Sequence, residues 1–388
     1  GYEVFLVEKN PFLGGRVAQL NQYFPKLCPP TCGLEINFRR IKDNPRIKVL
    51  TLAEVEKVDG TPGNYDVTIK VAPRYVNENC TCCGDCAEAS QTEVDSEFDF
   101  GMKKVKGAYL PFEMAFPARF VISPEIIGSD DAQRCKDACK YDAVDLDMEA
   151  KTLNFNVGSI VWATGWEPYD ATKIDNLGFG QYPNIITNMM MERLASPNGP
   201  TKGKIVRPSD DKDPESIAFV QCAGSRDENH LPYCSYICCM ASLKQATYVR
   251  ERYPDAKIYV FYIDLRTPGL RYERFYEQIK KDENIFLIKG KVAEVSEDPA
   301  NKNITVVAEN AVTGEKIHQT VEMVVLATGM QPTTATTKLP ADLTYNDDGF
   351  IINDFETGGM FAAGCANKPA DVVSSNQNAT GMALKAIQ

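Results

Sequence analysis

Two segments of this chain carry the same pattern, an unbroken apolar run that ends in Ala-Thr-Gly. The first is Ser159-Ile160-Val161-Trp162-Ala163-Thr164-Gly165, and the second is Val324-Val325-Leu326-Ala327-Thr328-Gly329. A short apolar run closed by glycine reads as a strand buried on both faces, the kind found in parallel sheets covered by helices. A glycine at the strand end lets the backbone approach a neighbour or ligand closely. A third such strand, Gly359-Met360-Phe361-Ala362-Ala363-Gly364-Cys365, stands near the other end of the chain. It leads into a helix-like stretch from about 376 to 387. The chain opens on a fourth strand, Tyr2-Glu3-Val4-Phe5-Leu6-Val7-Glu8. Each segment alone could be an ordinary strand end. Together, in this order, they predict an α/β fold with two dinucleotide-binding-type domains.

The 388 residues allow two to three domains. A net charge of -11 argues against nucleic acid and against direct binding to an anionic membrane surface. No apolar run has transmembrane length, and a signal peptide is not expected. Thirteen cysteines, several at metal-ligand spacing, favour metal ligation over disulfides. With two histidines, His230 and His318, a His-rich metal site or a Ser-His-Asp triad is not expected. The first residue is glycine, and the chain reads as one whose opening segment is absent.

Glu8, followed by Lys9 and then Gly14-Gly15-Arg16, fits the acid that ends the second strand of a dinucleotide fold and binds ribose hydroxyls. The phosphate loop would then lie about 20 residues upstream. The order of segments resembles the thioredoxin-reductase and glutathione-reductase class of flavoproteins. That resemblance implies FAD, held by Glu8, Lys9, Gly14, Gly15 and Arg16, by both Ala-Thr-Gly turns, and by Gly364 and Cys365. In that class an acid stands where Cys365 stands here, which leaves that single contact open. Arg16 suits a flavin phosphate through its planar fork, or is a surface arginine.

A third kind of signal lies between these strands. Cys80-Thr81-Cys82-Cys83-Gly84-Asp85-Cys86 is followed by Ser90, and a second run keeps Cys135 and Cys139 but carries Ser129 and Ala132 at the preceding steps. Two-cluster ferredoxins write C-x2-C-x2-C-x3-C twice, and the fourth cysteine of each run serves the other cluster. By that rule Cys80, Cys83, Cys86 and Cys139 form one complete ligand set for a [4Fe-4S] cluster. The other set, Ser129, Ala132, Cys135 and Ser90, is lost, and Cys82 and Cys135 read as leftovers. The same thiols also suit a zinc knuckle or an inert remnant. Lys140 stands where ferredoxins usually place proline.

In the second domain the strand Ser216-Ile217-Ala218-Phe219-Val220-Gln221 runs into Cys222-Ala223-Gly224-Ser225-Arg226-Asp227, where a Gly-rich nicotinamide loop would stand. Cys222, Cys234, Cys238 and Cys239 could hold a second [4Fe-4S] cluster or be buried structural thiols. The expected division is a FAD-binding domain from 1–72, 151–200 and 330–388, a ferredoxin-like insert at 73–150, and a second nucleotide-type domain at 201–329.

The segment from Gln221 to Glu228, and Tyr233-Cys234-Ser235-Tyr236-Ile237-Cys238-Cys239-Met240-Ala241-Ser242-Leu243-Lys244, resemble the hallmark of HdrA, the A subunit of heterodisulfide reductase. So do the Arg74-Tyr75-Val76 lead-in to the insert, the segment from Phe261 to Arg266, and Ala363-Gly364-Cys365-Ala366. The resemblance implies a non-standard [4Fe-4S] cluster on Cys222, Cys234, Cys238 and Cys239, and places Lys244 near the flavin N5. A cation there would stabilise reduced flavin; the alternative is a surface helix lysine. HdrA keeps both insert clusters and usually carries further iron–sulfur modules; this sequence keeps one insert ligand set, and the further modules are not expected here. The segment from Gly14 to Glu35 is similar to a short branch of the family, the QmoA branch, from the quinone-interacting membrane-bound oxidoreductase (Qmo) of sulfate reducers. That likeness implies an electron-transfer flavoprotein between the menaquinone pool and adenylylsulfate (APS) reductase. It implies a second HdrA-like flavoprotein (QmoB-like) and a membrane cytochrome b/iron–sulfur protein (QmoC-like) as partners, at the cytoplasmic face of the membrane. The family also leaves HdrA-type electron bifurcation open, and a stand-alone NAD(P)H-dependent disulfide reductase is the other enzyme class. Cys28 and Cys32, flanking Pro29-Pro30-Thr31, read either as a redox dithiol or as thiols of a rigid turn.

Overall fold

The computed structural model describes residues 1–356 and 358–388. Its best-packed unit is a five-stranded parallel sheet. In spatial order the strands are Ile185–Thr187, Met323–Thr328, Ser216–Ala223, Lys257–Tyr262 and Ile285–Lys289. Side chains alternate across a strand, so consecutive residues of one strand enter different cores. Ile217 and Phe219 pack under the helices, whereas Ala218 and Val220 face the other layer. That other layer includes a three-stranded antiparallel sheet, Val292–Glu297, Ile304–Glu309 and Lys316–Val321. Phe219 has no exposed surface, and its truncation to alanine would cost about 3–5 kcal/mol.

The flavin-type half is more open. The strand Val4–Glu8 pairs in parallel with Ile47–Thr51, and helix α1 (Thr31–Lys42) precedes the latter. Ile160–Trp162 pairs in parallel with Met360–Ala362. Each is a two-stranded ladder among the described residues, and both ladders border the same cavity. The strands Ala53–Thr61, Asn64–Val71 and Lys151–Val157 form an antiparallel meander.

The cysteine-rich insert leaves this meander between its second and third strands, which pair directly with each other. It has its own core around Val76, Cys86, Ala108, Ile122, Ala132 and Cys135. It contains helices α2 (Asp85–Ala89) and α3 (Asp130–Asp137).

The chain enters the five-stranded sheet at Ile185 and continues into helix α4 (Asn188–Ala195). Both lie upstream of residue 201, so the second domain claims a strand that the sequence assigned to the first. Three further helices complete the framework: α5 (Cys238–Arg252), α6 (Leu270–Ile279) and α7 (Val372–Ala386). Among the described residues no helix is long and apolar enough to cross a membrane.

Candidate cofactor cavity and thiol clusters

A cavity of about 2520 Å³ opens between the two ladders of the flavin-type half. Its wall contains Glu8, Lys9, Gly14, Gly15, Arg16, Ala163, Thr164, Gly165, Gly364 and Cys365. The sequence had singled out all of these. The cavity also exceeds the roughly 300–1,000 Å³ usual for a small-molecule site.

The backbone there is shaped for close approach. Gly15 (φ 50°) and Gly165 (φ 76°) lie in the left-handed region, and a Cβ on either would meet nothing within 4 Å. Each leaves a methyl-sized recess beside backbone, the kind of cradle an extended phosphate-bearing group fills. Glu8 Oε1 accepts from the Asn10 N–H at 2.8 Å and Asn10 Nδ2 at 2.9 Å, and burial pushes its carboxyl upward. Arg16 Nε donates to the Trp166 carbonyl at 3.3 Å and Nη1 to Gln19 Oε1 at 3.2 Å. Burial lowers its pKa, against the pull of Glu167. Cys365 Sγ donates to the Ala370 carbonyl at 3.5 Å and is pushed up by burial.

The second Ala-Thr-Gly turn is placed differently. Ala327, Thr328 and Gly329 do not line the cavity. Thr328 Oγ1 donates to Asn188 Oδ1 at 2.9 Å. A Cβ on Gly329 would fall 2.5 Å from Ser225 Oγ and 2.6 Å from Leu231 Cδ1. A side chain there would press on the ends of two side chains of the Cys222 loop, so the two copies of one motif sit in different surroundings.

That loop builds a second site at the end of the Ser216–Ala223 strand. Cys222 adopts φ 57°, a left-handed conformation unusual for a side-chain-bearing residue, and Arg226 and Tyr236 do likewise. Cys238 and Cys239 open α5, whose start has no capping side chain. The free N–H groups and positive end of the helix are therefore presented to the thiols. Cys239 Sγ contacts the Asp264 carbonyl at 3.7 Å, and Cys238 Sγ that of Thr328 at 3.8 Å. Burial pushes Cys222 up to about 11, with Cys239 and Cys234 adding to it and Arg226 opposing. Cys238 lies well above the usual thiol range through burial, then Cys239, Cys222 and Cys234. Cys222, Cys238 and Cys239 thus lie close enough to each other and to Cys234 to be raised by their neighbours, with Cys239 buried and the other three partly exposed. Such a set disfavours free thiolates and suits iron, which takes cysteine deprotonated.

The insert repeats this logic once. Burial raises Cys86 to about 12, followed by the influence of Cys135, Cys80 and Cys139. Cys139 Sγ accepts from the Ala143 N–H at 3.3 Å, and Cys83 is exposed beside Lys140, which pairs with Asp85 at 3.0 Å. Cys82 has φ 58° and is raised to about 11 by burial and Cys80.

The other ligand set is filled with protein. The buried Asp131 carboxylate accepts from Ser90 Oγ at 2.9 Å and from the N–H groups of Gln91 and Thr92 at 2.8 and 2.9 Å. Arg134 donates to it at 2.8 Å. Ser129 caps α3, and Ala132 and Cys135 are fully buried.

All thirteen cysteines are free. Among the described residues no group of three or more His, Cys, Asp or Glu is drawn in to a metal-binding arrangement, so both thiol sets fit a cluster in donor type rather than in closed shape.

Lys244 does not line the cavity. Its Nζ lies 2.9 Å from Glu192 Oε1 and also donates to the Gln22 carbonyl. The Glu192 carboxylate further accepts from Gln245 Nε2 at 2.7 Å, the Asn21 N–H at 2.9 Å and the Tyr248 hydroxyl at 3.2 Å. The sequence reading missed Glu192; its only signal was an acid in the apolar helix run Met189-Met190-Met191-Glu192. The Tyr23 N–H donates to the Cys28 carbonyl at 3.2 Å, Cys28 and then Cys32 raise the Tyr23 pKa, and Cys32 is exposed at the start of α1.

Curated relatives match along the whole chain. The iron–sulfur A subunit of a CoB–CoM heterodisulfide reductase of Methanopyrus kandleri is 40% identical over 398 residues, covering 100% of this chain and 60% of the relative. Along its whole length the chain is thus similar to HdrA, the A subunit of heterodisulfide reductase. An HdrA of Methanocaldococcus jannaschii is 37% identical over 401 residues, again covering 60% of the relative. The A subunit of the H2:CoB–CoM heterodisulfide,ferredoxin reductase of Methanothermobacter thermautotrophicus is 35% identical over 398 residues. The chain spans about 60% of the length of these relatives. No family model matches it. Among solved structures, Thermoplasma acidophilum thioredoxin reductase aligns with a TM-score of 0.52 at 13% identity, covering 100% of this chain and 88% of that one. The fold is thus of the thioredoxin-reductase-like, FAD/NAD(P)-binding type, with two dinucleotide-binding-type domains.

Proposed function

We propose that this chain belongs to the HdrA family and is a flavin and iron–sulfur electron-transfer subunit of a larger oxidoreductase. The observation that carries the reading is one arrangement. A glycine-lined cavity with an acid at its strand end adjoins a domain whose own strand end carries four mutually interacting thiols in place of a nicotinamide loop. FAD would supply reversible two-electron chemistry when bound. Glu8, Gly14, Gly15, Arg16, Gly165 and Gly364 would hold it. Cys222, Cys234, Cys238 and Cys239 would hold one [4Fe-4S] cluster, and Cys80, Cys83, Cys86 and Cys139 a second. Lys244 lies outside the cavity wall and its charge is neutralised by Glu192, so the role beside the flavin N5 that the resemblance implies forms no part of this reading.

Within the family, the single surviving ligand set of the insert and the Cys28–Cys32 segment favour the Qmo branch. In that reading the chain works between menaquinone and APS reductase with QmoB-like and QmoC-like partners, peripheral to the cytoplasmic face of the membrane. The HdrA-type bifurcating role is the alternative, disfavoured by the Asp131 network that fills the other set. A stand-alone NAD(P)H-dependent disulfide reductase is disfavoured by the Cys222 loop.

Iron and acid-labile sulfide per FAD on anaerobically prepared protein, with EPR after reduction, tests the reading. About eight iron per flavin supports both clusters, and about four leaves one. No iron overturns the relay. Reduction by menaquinol analogues in the reconstituted complex, against none by NAD(P)H, tests the finer assignment.

A further inference from the structure

Tyr169 and His230 form a couple that the reading above leaves unused. Their contact is direct, with the Tyr169 hydroxyl 2.9 Å from His230 Nδ1. We propose that Tyr169 and His230 form a proton conduit between bulk water and the cofactor cavity, an inference that rests on the flavin reading of that cavity.

Position is the first argument. Tyr169 follows the Trp166–Pro168 strand, lines the cavity and is only 8% exposed. His230 is half-buried in a loop whose neighbours Glu228 and Asn229 are exposed. The couple therefore runs from the cavity wall to the solvent edge.

Rigidity is the second. The Tyr169 N–H donates to the Gly329 carbonyl at 2.8 Å. A Cβ on Gly224 would fall 2.5 Å from the Tyr169 ring, so the absence of a side chain there makes room for the ring. The Cys222 loop and the second Ala-Thr-Gly turn together fix the phenol.

Need is the third argument. Cysteine-held iron moves electrons alone, whereas two-electron reduction of a flavin also takes up protons, so a cluster-fed flavin requires a separate proton supply. The chain has two imidazoles, and His318 stands on the Lys316–Val321 strand away from the cavity.

The charges that face the couple suit this task. Asp170 and Asp227 act on Tyr169, Asp227 pairs with Lys291 at 2.8 Å, Glu228 adjoins the loop, and Lys173 lies 5.9 Å from the Tyr169 ring centre. Burial, followed by Asp170 and Asp227, raises the Tyr169 pKa and keeps the phenol protonated at neutral pH. It hands a proton on rather than storing negative charge. In the transfer, the O–H bond of Tyr169 breaks as its proton passes to a base in the cavity. The Nδ1–H of the imidazolium replaces that proton, and water reprotonates the neutral ring. The protein ends as it began, with one proton moved inward.

The test uses the full chain loaded with FAD. Flavin reduction is followed by rapid mixing with dithionite across roughly pH 5 to 8, the range in which an imidazole titrates. His230→Ala should slow the pH-dependent phase on the order of tenfold or more, remove the break in its pH profile, and recover when imidazole is added to the buffer. Tyr169→Phe should slow it comparably without such recovery. An unchanged pH profile in His230→Ala, or slowing that imidazole does not relieve, overturns the conduit while FAD binding stands. Wild-type protein that takes up no FAD overturns the cavity reading and the conduit together.

Discussion

Lys244 Nζ lies 2.9 Å from Glu192 Oε1, and the two side chains are 4% and 2% exposed. An ion pair this dry joins α5, the helix that begins with Cys238 and Cys239, to α4. Through the Asn21 N–H and the Gln22 carbonyl it also ties both helices to the loop after Gly14-Gly15. The thiol site and the cavity wall are therefore fastened to one charged node. Removing one partner leaves a buried charge unpaired, which costs about 3–5 kcal/mol. Lys244→Met should lower unfolding stability by that order in urea titrations. Glu192→Met should cost at least as much, because it also leaves Gln245 Nε2, the Asn21 N–H and the Tyr248 hydroxyl without their acceptor; a Lys244→Met variant as stable as the parent would contradict the pairing.

The Asp131 network makes a prediction about acid. Burial pushes this carboxyl up, but the hydrogen bonds from Gln91, Thr92 and Ser90 outweigh it and hold the folded pKa below the usual range. A depressed carboxyl stabilises the fold above its unfolded pKa of about 3.9 and loses that contribution as pH falls toward the folded value. The insert should therefore keep this contribution at pH 5 to 7 and lose it only below about pH 4. Asp131→Asn should cost about 1–3 kcal/mol near neutrality by weakening the bonds to buried donors. The gap between variant and parent should close on acidification, as read by chemical unfolding at each pH.

Much of this site was legible because its signals are local. The strands ending at Gly165 and Gly364, the Gly14-Gly15-Arg16 segment and the four thiols of the second domain each lie within a short window, and the cavity and thiol pocket contain them. The two Ala-Thr-Gly copies show the limit of such reading. Their sequences are alike, but only the fold determines that Gly165 faces open space while Gly329 faces Ser225 and Leu231. Likewise the serines and alanine of the vacated ligand set announce a lost cluster, but not what replaced it. Asp131 reaches Ser90 across 41 positions. Glu192 and Lys244 are 52 positions apart, on different helices. Tertiary pairing of that kind has no periodicity to detect.

Iron content should separate the two halves of the insert. Cys86→Ser removes a thiol that sits among Cys80, Cys135 and Cys139 and should lower iron by about four atoms per chain, one cluster. Cys135→Ser changes a residue with no exposed surface, in the half that Asp131 already fills, and should leave iron unchanged. Equal loss in both would place Cys135 in the ligand set and displace Cys139. The comparison uses reconstituted protein and colorimetric iron, with thermal unfolding run on each variant to exclude collapse of the insert core.

The recesses beside Gly15 and Gly165 allow the cavity assignment to be tested without disturbing the core. Neither glycine has a neighbouring atom within 4 Å of an added Cβ, so a side chain there projects into the cavity rather than into packed protein. The remaining cost is conformational, because a left-handed φ penalises a side-chain-bearing residue by about 1–2 kcal/mol. Asparagine tolerates that conformation better than valine does. Gly165→Asn should therefore fold like the parent by circular dichroism yet lose bound FAD, measured as the flavin absorbance that co-purifies or is taken up on titration. Gly329→Ala behaves oppositely: its Cβ would overlap Ser225 Oγ and Leu231 Cδ1, so stability should fall. FAD affinity per folded molecule should hold, because Gly329 is not part of the cavity wall. Retention of full flavin affinity by Gly165→Asn would remove the first Ala-Thr-Gly turn from the binding surface and leave Glu8 and the Gly14-Gly15 segment to define it.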